Sequence, residues 1–310
     1  PAVQIQALLA QEVDYGGMYP DEAAQLGNAE FLVQLAYPNF NTPILALNWA
    51  NPENPMPAFD EEGNPVEQDP HPIFADVRVR QAIAMGYNKD DVLLTLGEGG
   101  GFKLIATVLP TLEWAFNTEL SPYAYDQETA AALLDEAGWT DADGDGIREC
   151  NGCMYAEEGA PLAFTITISP LVDLWENIAL IAQDQLGQLG MDISIESVEW
   201  GTFINEILLP QQFDALTVGF GGGSPPDPNA ITEPILISAN DVPGAGFNMT
   251  SYVNPRVDEL IAAGKVVPGC AVEDRAPIYY EIQEIVQDEV AYDFSVGVNY
   301  MYIWNSRVEG

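Results

Sequence analysis

Positively charged residues are scarce in this chain of 310 residues, which has nine Lys and Arg against 48 Asp and Glu. The formal net charge is −39. Nucleic acids and anionic membrane surfaces are therefore poor partners, because binding to either requires a basic face. Divalent cations and cationic ligands remain compatible with this charge, although a solvated acidic surface is the simpler explanation.

Histidine, cysteine and long apolar runs are also lacking. His71 is the only histidine, so catalytic triads and zinc hydrolases lose their usual base and ligands. It lies in a proline-rich stretch, and we expect it at the surface. Three cysteines cannot supply the main covalent support of a chain this long. No run of about 18 apolar residues occurs, so the sequence predicts no segment that spans a bilayer.

The residues that are present predict an α/β fold. Apolar residues make up 47% of the chain, enough for a folded core despite the charge. Single strands such as "ILALNWA", "LAFTITIS" and "FDALTVGF" alternate with helices such as "YDQETAAALLDEAGW", which begins after Asp126 and stops at Gly138. Residues 51–75 contain six prolines and are predicted to form a long irregular loop. This alternation indicates helices packed around a mixed sheet.

The stretch "DADGDG" is the strongest metal-like signal. Asp141, Asp143 and Asp145 alternate as in a calcium-binding loop. The twelfth position, where such a loop has a bidentate Glu, is Gly152, and Glu149 stands at the ninth. Calcium therefore stays an open alternative to a tight turn in which the Asp side chains accept hydrogen bonds from neighbouring amides.

Cys150 and Cys153 flank Asn151-Gly152, the dipeptide preferred in two-residue type I′ hairpins. Such a turn would bring the two cysteines opposite each other, within reach of a disulfide. Free thiols are the alternative. A four-thiolate zinc site would need a second C-x-x-C, and only Cys270 remains.

The stretch "GFGGGSPPDPN", residues 219–229, follows a predicted strand. It lacks the Lys and Ser or Thr of a phosphate-binding loop. A glycine-rich turn can let a ligand approach the backbone, and a plain loop is the alternative. Aromatic residues that could line a pocket, or simply pack in the core, are Trp49, Trp200, Phe220, Tyr252 and Trp304.

Several segments resemble a known family, and they occur in register over nearly the whole chain. They are "ADVRVRQAIAMGYNKDDV", "YAYDQETAAALLDEAGWTDADGDGIRE", "FDALTVGF" with "PPDPN", "NMTSYVNPRVDELI" and "DRAPIYYEIQEIVQDEVAYDF". Together they resemble the family 5 extracellular solute-binding proteins, the peptide and nickel receptors of ABC importers.

The resemblance implies a periplasmic-binding-protein-like type II fold in which two α/β lobes close on a ligand. We expect residues 1–44 to be the end of the first lobe, residues 45–298 the second, ligand-binding lobe, and residues 299–310 a return towards the first lobe. Because family members are longer, we expect the chain to be a fragment that lacks the N-terminal part of the first lobe.

The resemblance also implies site residues. In peptide-binding relatives an Asp after the strand matched by "FDALTVGF" holds the amino group of the ligand, and this position is Gly223 here. That departure puts recognition of free peptides in doubt unless a reshaped loop brings Asp227 into the role. The family's "GW-D-DGDG" turn makes calcium less expected, whereas an extracytoplasmic location favours the Cys150–Cys153 disulfide. The predicted ligand contacts are Trp49, Trp200, Phe220, Gly223, Asp227 and Asn248.

The predicted function is that of a monomeric receptor, not an enzyme, that delivers a solute to ABC permease subunits. We expect it in the periplasm or at the cell surface, with a lipid anchor as one form. Oligopeptides lead as the solute, ahead of cationic or metal-chelate ligands and oligosaccharides. No cofactor is required, with calcium left open. The alternatives are a secreted hydrolase that uses paired carboxylates, whose positions the sequence does not single out, and a calcium-dependent structural module.

Overall fold

A computed structural model describes residues 2–38, 41–108, 110–221 and 227–308. Helices and strands alternate along the chain. The strands are β1 (Tyr15–Met18), β2 (Leu32–Pro38), β3 (Asn41–Leu47), β4 (Gly101–Lys103), β5 (Trp139–Thr140), β6 (Glu149–Cys150), β7 (Ala163–Ile168), β8 (Asp192–Ser197), β9 (Ala215–Gly221) and β10 (Val296–Asn305). The α-helices are α1 (Ala2–Leu9), α2 (Pro20–Ala23), α3 (Val77–Gly86), α4 (Lys89–Thr95), α5 (Gln127–Glu136), α6 (Asp173–Gly187), α7 (Trp200–Thr202), α8 (Asn229–Leu236), α9 (Pro255–Lys265) and α10 (Val272–Glu289).

The larger unit is built on a mixed sheet with the strand order β3-β9-β7-β8. Strand β7 runs parallel to β8 and β9, whereas β3 is antiparallel to β9. The side chains of strand β3 show that both faces of the sheet are covered. Ile44 and Ala46 are buried in one apolar cluster and Leu45 and Leu47 in another, because successive side chains of a strand point to opposite faces.

Helices cover each face of this sheet. Helices α3 to α6 contribute buried residues to the cluster that contains Leu45, and α8 to α10 contribute to the cluster that contains Ile44. Side-chain caps fix where several helices begin, as the sequence predicts. Asp126 accepts a hydrogen bond from the Thr129 amide before α5, and Asn254 accepts from two amides at the start of α9. The expectation of an α/β lobe with a mixed sheet flanked by helices is confirmed.

The smaller unit contains a second sheet, in which β10 lies between β1 and β2 and also pairs with β4. One face of this sheet is covered by α1 and α2, with Ile5, Leu8 and Ile303 in its small apolar core. The described residues leave part of the opposite face exposed. On that face Leu35 and Tyr302 are paired across β2 and β10, and both are exposed.

Residues 51–75 form the predicted irregular loop, but His71 is not at the surface. Its exposed fraction is 1%. The ring Nδ1 accepts hydrogen bonds from the Ile73 and Phe74 amides, and Nε2 faces the Asp214 carboxylate at 3.3 Å. The prediction of a surface histidine is therefore wrong, because the polar ring atoms are satisfied inside the fold and the ring stacks on Phe74.

Other differences from the sequence prediction are local. Helix α1 ends at Leu9 rather than continuing to Asp14, and Gln11 adopts a positive φ of 57° that no helix can continue through. The short strands β1 and β4 and the helix α8, which carries an internal Pro234, lacked a clear periodic signal. None of the described helices is both long and apolar enough to cross a membrane.

Candidate functional site

The parallel strands of the larger sheet define one edge of the molecule. Strands β7, β8 and β9 end there at Ile168, Ser197 and Gly221, because parallel neighbours share a direction. Ligands of open α/β sheets bind outside the carboxyl ends of the strands. Trp200 and Phe220, two of the predicted contacts, both lie at this edge.

Trp200 begins α7 directly after β8. The Glu199 side chain accepts hydrogen bonds from the Gly201 and Thr202 amides and so fixes the start of this turn. The Trp200 ring stacks on Trp175 and on Phe203, with centroid distances of 5.8 and 5.7 Å. Since Trp200 remains 37% exposed, one edge of this aromatic stack is available to a ligand.

Phe220 is half-buried near the end of β9, opposite Thr42 of β3. The Thr42 hydroxyl, and the hydroxyl of Ser169, which follows β7, are buried without a hydrogen-bond partner among the described residues. Such unpartnered groups are uncommon in a folded protein. Gly223, another predicted contact, lies outside the described residues.

Asp227 is already engaged in the fold. Its carboxylate forms an ion pair with Arg275 at 3.0 Å and accepts a hydrogen bond from the Asn229 amide at the start of α8. The same guanidinium donates to the Tyr279 hydroxyl. A ligand ammonium would have to displace Arg275 from Asp227, so this geometry gives no support to Asp227 as a substitute for the missing Asp.

Trp49 and Asn248 lie at the opposite edge of the sheet. Trp49 follows the end of β3, where Leu47 pairs with Ala215, and this end is about 20 Å along the strand from the Asn41–Gly221 pair. The Trp49 amide donates to the Thr250 carbonyl. The Trp49 ring stacks against the buried guanidinium of Arg80 at 3.5 Å, whose pKa burial lowers to about 9.

Asn248 is fully buried, and its side chain bonds the backbone of Ile237 and Tyr252. The interpretation of Trp49 and Asn248 as ligand contacts therefore has no support from their positions. Their polar and aromatic surfaces are used to hold the loops around residues 240–252 against the sheet.

A cavity of about 370 Å³ lies between the two units. Tyr19 and Glu22, from the smaller unit, form one wall. The end of α4 and the segment that joins β7 to α6 form the other. The lining residues are Tyr19, Glu22, Thr95, Leu96, Leu171, Val172, Asp173, Leu174 and Asn177.

None of these lining residues was predicted from the sequence. Asp173 and Asn177 carried a usable signal, because they stand four residues apart at the start of a helix that directly follows a central strand, and such residues share a helix face. Tyr19 and Glu22 had no comparable signal.

The acidic loop lies far from this edge, between β5 and β6. One oxygen from each of Asp141, Asp143, Asp145 and Glu149 lies within 4.8 Å of the others. These carboxylates also hold the turn itself. Asp141 accepts hydrogen bonds from the Gly144 and Gly146 amides, and Glu149 accepts from the Ala142 amide. Calcium binding here stays a prediction.

Cys150 and Cys153 form a disulfide in the structure, with their Cα atoms 5.4 Å apart. The hairpin predicted around them is wrong. Cys150 pairs across strands with Trp139 instead, and only Gly152 of the central dipeptide has a positive φ, whereas a type I′ turn needs two. Cys270 is an exposed free cysteine.

The mixed sheet, its two helical layers and the second sheet reached through β10 define a lobe of the type II periplasmic-binding class. Residues 1–242 match the family described as "Bacterial extracellular solute-binding proteins, family 5 Middle". The chain therefore belongs to this family, as the sequence resemblance indicated. Membership in a family of binding proteins does not favour the alternative of a carboxylate-dependent hydrolase.

Individual relatives agree with this assignment. The oligopeptide-binding protein AppA of Bacillus subtilis is 26% identical over 218 residues, which cover 69% of this chain and 37% of AppA. The structure of B. subtilis AppA in complex with a nonapeptide superposes with a TM-score of 0.76 at 20% identity, covering 100% of this chain and 55% of AppA. The structure of NikA of Brucella suis in complex with Fe(III)-EDTA gives a TM-score of 0.75 at 24% identity, covering 100% of this chain and 56% of NikA.

These solved structures support the fold. The chain spans about a third of the length of the curated relatives that it matches and about half of the solved structures.

Proposed function

We propose that this chain is the ligand-binding part of an extracytoplasmic receptor that serves an ABC importer. The observation that carries the proposal is the cavity between the two units, which adjoins the carboxyl ends of the central strands in a member of a solute-binding family. Function would follow from closure, in which the two lobes bury the solute and the closed form docks on the permease. No covalent step is involved.

The division into lobes is part of the proposal. Residues 1–44 would end the first lobe, residues 45–298 would form the second, and residues 299–310 would return to the first. The pairing of β10 supports this division, since residues 296–298 pair with β4 and residues 299–305 with β2. The open apolar face of the smaller sheet, with Leu35 and Tyr302 exposed, offers a surface on which the rest of the first lobe can pack.

Oligopeptides are the proposed solute class. The names of relatives support it, because AppA is an oligopeptide-binding protein and another relative is a probable di/tripeptide-binding protein of Pseudomonas aeruginosa. The exposed edge of the Trp200 stack and the half-buried Phe220 offer apolar contacts for peptide side chains. The position that would hold the amino group of such a peptide is Gly223, and Asp227 is paired with Arg275. Neither residue therefore offers a free carboxylate to that amino group after this strand.

The experiment that tests the proposal is native mass spectrometry of the full-length protein, purified gently from its own host. We expect a small solute to co-purify and to be released on denaturation, and to raise the melting temperature when added back. An empty, monomeric protein that instead cleaves peptides or glycans would refute the receptor function. Co-purification with membrane permease subunits, and lipid modification of the mature protein, would test the proposed partner and anchor.

We also propose that the acidic loop can hold calcium. Four carboxylates converge there, and calcium prefers oxygen ligands. Such an ion would stabilise the hairpin of β5 and β6 and would take no part in solute binding.

A further inference from the structure

The cavity between the two units is lined by acidic groups without basic ones. Glu22 contributes a carboxylate from the smaller unit and Asp173 a carboxylate from the larger one, whereas none of the described lining residues is Lys or Arg. Two carboxylates that face one cavity repel each other, and the repulsion grows as the walls approach. A solute that carries positive charge would remove this repulsion.

The polar groups on the α6 wall are available to a ligand. Asp173 and Asn177 are four residues apart on this helix and so lie on one face. Neither side chain has a hydrogen-bond partner or an ion pair among the described residues, although both line the cavity. Since Asn177 is half-buried, its amide is positioned in the wall rather than extended into solvent.

The start of α6 lies close to Asp173, and its dipole acts against a cation. A helix N-terminus carries the equivalent of about half a positive charge. Two full carboxylates outweigh it, so the cavity remains favourable for positive charge. Val172, the residue before the helix, forms no side-chain hydrogen bond with the first amides. No cap therefore reduces the partial positive charge at this helix end.

Leucine and valine side chains make up most of the remaining lining. Leu171 is 61% exposed, and Leu96 and Leu174 also line the same cavity. A surface of this kind suits a methylene chain, and long cationic side chains pack their methylene groups on apolar surfaces while the charged end contacts polar groups.

We infer that this cavity selects solutes with an alkyl chain that ends in a cation, such as a lysine or arginine side chain of a peptide or a free alkyl diamine. The inference rests on the proposed receptor function. Glu22 and Asp173 come from different units, so a cation held between them stabilises the closed form. Charge selection and closure are thereby one event.

The test is calorimetric titration of the full-length protein with three probes, Ala-Lys-Ala, Ala-Leu-Ala and putrescine. We expect Ala-Lys-Ala to bind about tenfold more tightly than Ala-Leu-Ala, the effect of one partly desolvated ion pair. Glu22→Gln and Asp173→Asn should each lower this ratio about fivefold. Gln at position 22 can still accept the hydrogen bond that the Tyr19 amide donates to Glu22, so the local fold is kept.

Glu176→Gln is the matched control. Glu176 lies in the same first turn of α6 but does not line the cavity, so its removal changes the net charge equally and should leave the ratio unchanged. An equal loss in this variant would mean that the acidic surface as a whole, and not the cavity, attracts the cation.

The outcomes separate the two proposals. Equal binding of both peptides overturns the charge selection and leaves the peptide receptor intact. Binding of putrescine alone supports charge selection, with a free amine as the source of the cation, and refutes the peptide class. Failure of all three probes to bind overturns both.

Discussion

The buried pair of Lys89 and Asp293 provides a sharp test of the structure. Lys89 begins α4, and Asp293 precedes β10 at the point where its backbone bonds Leu45 of the central sheet. The Lys89 Nζ lies 3.1 Å from an Asp293 carboxylate oxygen, and both side chains are only 7% exposed. The Tyr87 hydroxyl donates to the same oxygen at 2.6 Å. Burial lowers the pKa of Lys89, and burial together with Asp293 raises the pKa of Tyr87 well above its usual value.

We predict that Lys89→Met lowers the free energy of unfolding by about 3–5 kcal/mol, because it leaves the Asp293 carboxylate buried without its cation. A domain of this kind is stable by roughly 5–15 kcal/mol in total. The Ala84 carbonyl at the end of α3 also loses the hydrogen bond that Lys89 donates. The assay is urea unfolding followed by tryptophan fluorescence.

A double-mutant cycle separates the pair from its surroundings. The double variant Lys89→Met/Asp293→Asn should lose less stability than the sum of the losses of the two single variants, by at least about 1 kcal/mol, because neither charge is then buried alone. The control is Lys103→Met, which removes an exposed lysine paired with Asp90 at 2.7 Å and should cost less than about 1 kcal/mol. Equal losses for Lys89→Met and Lys103→Met would refute the reasoning.

Three further predictions concern other charged groups. Burial raises the pKa of Asp241 to about 6 despite hydrogen bonds from Gln211 and Gln68. Ionisation of Asp241 therefore disfavours the folded state. The stability of wild type relative to Asp241→Asn should fall by up to about 3 kcal/mol as the pH rises from 4 to 7. A flat difference between the two unfolding curves would contradict this. If the acidic loop holds calcium, EDTA should lower the melting temperature of wild type but not of Asp143→Asn/Asp145→Asn; a titration without any calcium-dependent shift would leave only the tight turn. The surface carries about one net negative charge for every 360 Å². Raising NaCl from 10 mM to 1 M shortens the Debye length from about 30 to 3 Å and should therefore raise the melting temperature by several degrees. An unchanged melting temperature would refute net repulsion as a cost to folding.

Much of the fold could be predicted from the sequence because its signals are local. The helix α5 follows from the Asp126 cap and the apolar stripe that includes Leu134, and the break between α3 and α4 follows from Asn88, whose side chain accepts from the Asp90 amide. Elements without such signals were missed. Strand β1 contains "YGGM", which has too few apolar residues to show alternation, and it forms only because β10 provides its hydrogen bonds.

The candidate site was predicted less completely. The sequence places Trp200 and Phe220 at the carboxyl edge of the sheet because they directly follow or end predicted strands, where ligand sites commonly lie; their contact with a ligand stays a prediction. Trp49 also follows a strand, but β3 runs antiparallel to its neighbour β9. Its end therefore lies at the opposite edge of the sheet. Strand direction within a sheet is a property of long-range pairing, which a local pattern does not contain.

The sequence by itself determined the alternation of helices and strands, the caps and the acidic surface, because each depends on neighbours within a few residues. It also determined the family. Only the tertiary structure decided that His71 is buried, that Asp227 forms an ion pair with Arg275, and that Glu22 and Asp173 face one cavity. The pairs His71–Asp214, Asp227–Arg275 and Glu22–Asp173 are separated by between 48 and 151 positions. Long-range packing within the larger unit forms the first two pairs, and the contact between the two units brings Glu22 and Asp173 to one cavity.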